Sequence, residues 1–149
     1  AAEAAADLGL ADAAEPLRRS LRRFQDEASS ECAYALGAVG NLRDLPLILS
    51  EAERLQSIIS RYRCLLGAAR LLGCEPAMYR LALADEAARD RMAAEALRDQ
   101  PEALREFMEG NWRSALRRLA DQDPRLEPLR DCGFEEALLL ALATRQRGG

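Results

Sequence analysis

The residues with most chemistry in this chain are four cysteines and a set of clustered arginines. The cysteines are Cys32, Cys64, Cys74 and Cys132. No two make a Cys-x-x-Cys pair, so a zinc knuckle is not indicated. Cys32 and Cys64 stand in apolar helical context, which suits buried free thiols in a reducing cytoplasm. A redox or thiolate role is the alternative. The arginines cluster first in "PLRRSLRRFQDE". Arg18 and Arg22 are four apart, as are Arg19 and Arg23. On a helix they form two adjacent basic rows that can grip carboxylates or phosphates. The alternative is a solvated face whose arginines pair with Glu15, Asp26 or Glu27. A second cluster, "NWRSALRRLADQD", sets Arg113, Arg117 and Arg118 beside the single tryptophan, Trp112. Arginine and tryptophan are enriched at interfaces, while a lone tryptophan also suits a core.

The missing residue types narrow the chemistry further. There is no histidine, and all 21 basic residues are arginine. That composition, rich in Ala and Leu, suits a GC-rich coding sequence. It removes His-based acid–base catalysis, Ser–His and Cys–His pairs, and every metal site that needs imidazole. In "ADEAARDRMAAEALRDQPEALREFMEG" acids and arginines interleave at helical spacing, as on a salt-bridged exposed face. Paired catalytic carboxylates need a pocket that pushes their pKa values apart, and nothing in the sequence indicates one. No catalytic residue, metal ligand or cofactor is therefore assigned.

The elements that would position these side chains read as helices almost throughout. Ala, Leu, Arg and Glu dominate, and no stretch alternates in the strand manner. Glycines at 9, 40, 73, 110 and 133 and prolines at 16, 46, 76, 101, 124 and 128 cut the chain into short pieces. The pieces repeat. Leu8-Gly9, Val39-Gly40 and Leu72-Gly73 are spaced by 31 and 33 residues. Four before each lies Ala4, Ala35 or Ala68; six after lies Ala14, Leu45 or Met78; nine after lies Leu17, Ile48 or Leu81. Glycine in the left-handed conformation closes a first helix, with Gly40 expected at positive φ. Alanine lets a second helix approach, and the apolar pair faces its neighbours. Two later stretches, "EALRDQPEALREFM" and "RRLADQDPRLEPLRD", keep the order of elements but lose the glycine.

"ALGAVGNLRDLPLIL", residues 35 to 49, resembles a HEAT repeat of the short, phycobilisome lyase-like type, as do "LGLADAAEPLRRSL" and "LLGCEPAMYRLAL". The resemblance is good over residues 1–85 and weak over 86–149. It implies an all-α fold: one domain, a right-handed α-α superhelix of about four to five hairpins. An irregular helical bundle and TPR-like hairpins are the alternatives; TPR units would carry aromatics in phase, and aromatics here are 5%.

The resemblance implies a scaffold or adaptor that binds another protein on the concave face. An enzyme-associated helper, bilin lyase-like or cofactor-handling, is the competing class. If second helices line the groove, Arg18, Arg19, Arg22 and Arg23 make its start basic, with Leu49 opposite Arg18 and Ala82 beyond. Such a groove suits an acidic, partly apolar segment of a partner, with Trp112 and Arg113 as further contacts. DNA would want basic charge along the whole track, and the net charge is −4. No apolar run approaches the ~20 residues of a bilayer span, and no signal peptide is evident. The expected setting is the cytoplasm, without nucleic-acid or membrane partners. The chain starts without Met inside an expected helix, so a processed product or a piece of a longer protein is expected.

Overall fold

The computed structural model describes residues 13–21, 26–124 and 127. Among them only helices and turns occur, with no strand. No helix among the described residues is long and apolar enough to cross a membrane. The chain gathers into two compact units, Ala1–Leu72 and Gly73–Gly149.

The first unit holds α1 (Ala14–Ser20), α2 (Asp26–Val39), α3 (Leu45–Arg54) and α4 (Ile58–Leu72). Prolines sit where helices tolerate them. Pro16 and Pro46 both lie in a first turn, where no N–H partner is forgone. The link from α2 to α3 is a 3₁₀ turn, Leu42–Asp44, closed by a reciprocal cap. The Arg43 amide donates to Asn41 Oδ1 and the Asn41 amide donates to Asp44 Oδ2, each over 2.9 Å.

The core of this unit lies where α2 crosses α4, its most extensive helix contact. Ala33, Leu36, Ile48, Leu49, Cys64, Ala68 and Leu72 are buried there or on α3. The crossing passes through two glycines. A Cβ built on Gly37 would collide with Gly67 O and lie 2.8 Å from Gly67 C and Cα. One built on Gly67 would lie 3.1 Å from Tyr34 Cα and press on the Ala33 carbonyl. The two backbones therefore touch. Glycine inside a helix costs about 1 kcal/mol relative to alanine, and the contact it permits offsets that.

Two glycine expectations divide here. Gly73 closes α4 at φ 74° as expected. Gly40 does not have a positive φ; among the described glycines only Gly73 and Gly110 do. The reason is that α2 needs no left-handed residue to stop. The chain leaves it extended at Asn41, with φ −137° and ψ 178°, into the capped turn. Gly40 is required by space instead, since its Cβ would meet Asp44 Oδ2 and lie 2.8 Å from Leu36 O. Gly9 lies outside the described residues.

The second unit holds α5 (Glu75–Ala82), α6 (Glu86–Ala96), α7 (Pro101–Met108) and α8 (Trp112–Gln122). Asp85 caps α6 by accepting the Ala88 amide at 2.8 Å. As its interleaved charges suggest, α6 buries only Ala93 and Ala96. Between α7 and α8 the chain turns through Gly110 at φ 86°. The Asn111 amide donates to Glu106 O at 2.7 Å and the Gly110 amide to Phe107 O at 3.0 Å, the paired bonds of a left-handed glycine cap. Ala103 and Phe107 of α7 and Ala115, Leu116, Leu119 and Ala120 of α8 are buried.

The first-turn prolines of α1, α3 and α5 share one spacing. Pro16, Pro46 and Pro76 are each 30 residues apart, all in first turns and all exposed. Gly37 and Gly67 share that spacing. Gly40 and Gly73 are 33 apart because a 3₁₀ turn separates Gly40 from α3, while only Cys74 separates Gly73 from α5. Ala35, Ala68, Leu45, Met78, Ile48 and Leu81, the repeat positions expected to face neighbours, are buried.

Candidate functional site

Arg18 was expected to reach outward; it is turned onto its own fold. Its Nε donates to Asp44 Oδ1 at 2.6 Å and its NH2 to Asp44 Oδ2 at 3.0 Å. Its NH1 donates to Glu15 Oε2 at 3.1 Å. The Asp44 side chain is only 7% exposed. Burial would push its carboxyl up, but the Arg18 guanidinium and the Asn41 amide together outweigh this and hold it below the usual range. In return Asp44 first, then Glu15, hold the Arg18 proton more tightly than usual. Glu15 was legible as a partner three residues away. Asp44 was not, because it lies 26 residues on in the turn after α2. Its signal was the Asn41–Asp44 cap spacing.

The other predicted positions scatter. Arg19 is exposed on α1, while Arg22 and Arg23 lie outside the described residues. Leu49, expected in a groove opposite Arg18, is 2% exposed and belongs to the core. It cannot line a surface because α3 turns its apolar side inward. Ala82 is exposed. Trp112 is half-buried at the start of α8, with the Arg113 guanidinium 5.1 Å from its ring centroid. Arg118 is bound to Glu102 at 2.7 Å and to Glu106 at 2.8 Å. The Arg118 bond holds the Glu106 carboxyl below its ordinary range. Arg117 is exposed.

An open cleft of about 440 Å³ lies where α7 begins and α8 ends. Asp99, Gln100, Glu102, Arg118, Asp121 and Gln122 line it. These groups suit polar recognition, and none of them is a nucleophile paired with a base. Among the described residues no three His, Cys, Asp or Glu side chains come together in a way that could hold a metal ion. Cys32, Cys64 and Cys74 are buried free thiols that form no disulfide. Burial first, then Glu31, pushes the Cys32 thiol up, which keeps it protonated and unreactive. Cys132 lies outside the described residues.

Two features were not foreseen. Glu51 of α3 is buried, where its Oε2 accepts from Ser29 Oγ at 2.8 Å and from Arg54 NH2 at 2.7 Å. A buried carboxylate is tolerated when it is so paired. The sequence shows only a Glu–Arg pair at helical spacing there. The second feature is the start of α4, where Ile58 and Ile59 are 83% and 71% exposed. Further along the same helix, Arg63 NH1 donates to Ser30 Oγ at 3.1 Å. Arg70 lies 4.0 Å from the Tyr34 ring centroid and donates to the Tyr34 carbonyl at 3.1 Å.

Comparison with known protein families, curated proteins and solved structures finds no match to this chain.

Proposed function

We propose that the chain is a protein-binding scaffold built as a short HEAT-like α-solenoid. The observation that carries this reading is the shared period of 30 residues. It recurs in the exposed first-turn prolines 16, 46 and 76 and in the touching glycines 37 and 67. Helices related by that period, α2 and α4, pack directly on each other. Arg18 joins one second helix to the turn of the following hairpin through Asp44. Repeats that stack in this way create long surfaces rather than an enclosed pocket. Large exposed side chains suit contact with another chain. They include Ile58, Ile59, Tyr79 and Leu83, with Arg19 and the stacked Trp112–Arg113 pair beside them in type.

Two measurements test this. Small-angle scattering should give an elongated, curved particle; a spherical particle would favour an irregular bundle. Immobilised chain should retain one polypeptide from an extract of its own cell, in near-equal amounts and displaceable by free chain. Purified protein that carries a tightly held chromophore and retains no polypeptide would overturn the scaffold reading in favour of the helper.

A further inference from the structure

We draw no further inference here: the strongest candidate, the open cleft where α7 begins and α8 ends, is a cluster of acidic side chains around an arginine, Arg118, that Glu102 and Glu106 already hold, and no second observation in the structure points to a ligand for it.

Discussion

Arg18 and Arg118 look alike in sequence, each in a run of arginines on an amphipathic helix. In the structure they do different things. Arg18 closes onto a nearly buried carboxylate 26 residues away and ties a helix to the next turn. Arg118 bridges Glu102 and Glu106 across one helical hairpin, with 41% of its side chain exposed. The same contrast runs through the helix contacts. In the first unit α2 and α4 meet backbone to backbone at Gly37 and Gly67. In the second unit α7 and α8 close through a glycine cap and bury Phe107 and Leu116. The lesson is that a glycine or arginine is decisive where its partner is fixed and buried, and replaceable where solvent can take the partner's place.

The contrast can be broken most strongly at the crossing. Gly67→Ala should destabilise the first unit by about 3 kcal/mol, because its Cβ meets backbone that cannot move aside cheaply. A urea melt measures it. Gly110→Ala is the control. Its Cβ meets nothing within 4 Å, so only the positive φ is penalised, at about 1 kcal/mol. Equal effects would mean the backbones are not in contact.

Next in size is Asp44→Ala, which removes the Arg18 acceptors and half of the Asn41–Asp44 cap. About 2 kcal/mol should be lost. Asp44 also sharpens the comparison through pH. Its carboxyl has a lower pKa folded than unfolded, where it takes the ordinary value of about 4. The stability it contributes is complete above that value and is lost as pH falls through the lower folded-state value. Asp44→Asn should therefore flatten the fall of melting temperature below about pH 4. A parallel curve would mean that the pair does not couple to folding. The smallest effect is expected for Arg118→Ala, whose melting temperature should stay close to that of the parent in physiological salt.

These outcomes bear on what was readable. All-helical character was legible because propensity, glycine and proline agree at every break. The burial of Ala35, Ile48 and Leu81 was legible because it follows helical spacing. Gly40 was misjudged in mechanism: a glycine at a helix end suggests φ, while the structure needs it for room beside Asp44. Gly37 and Gly67 were passed over because a mid-helix glycine reveals a helix crossing only once its partner is known. The Arg18–Asp44 and Glu51–Ser29 pairs are long-range, and periodicity along one helix carries no information about them. The exposed Ile58–Ile59 pair was not legible because residue type alone does not separate an exposed isoleucine from a buried one.

The account's central claim is that this fold binds a polypeptide through its exposed large side chains. Retention of a polypeptide by the immobilised chain and by two variants tests it most directly. Ile58→Asp with Ile59→Asp alters the first unit, and Trp112→Ala with Arg113→Glu alters the second. The account expects the parent to retain one polypeptide in near-equal amount, displaceable by free chain, and at least one of the two variants to retain at least about tenfold less. A parent that retains no polypeptide, or full retention by both variants, would contradict it.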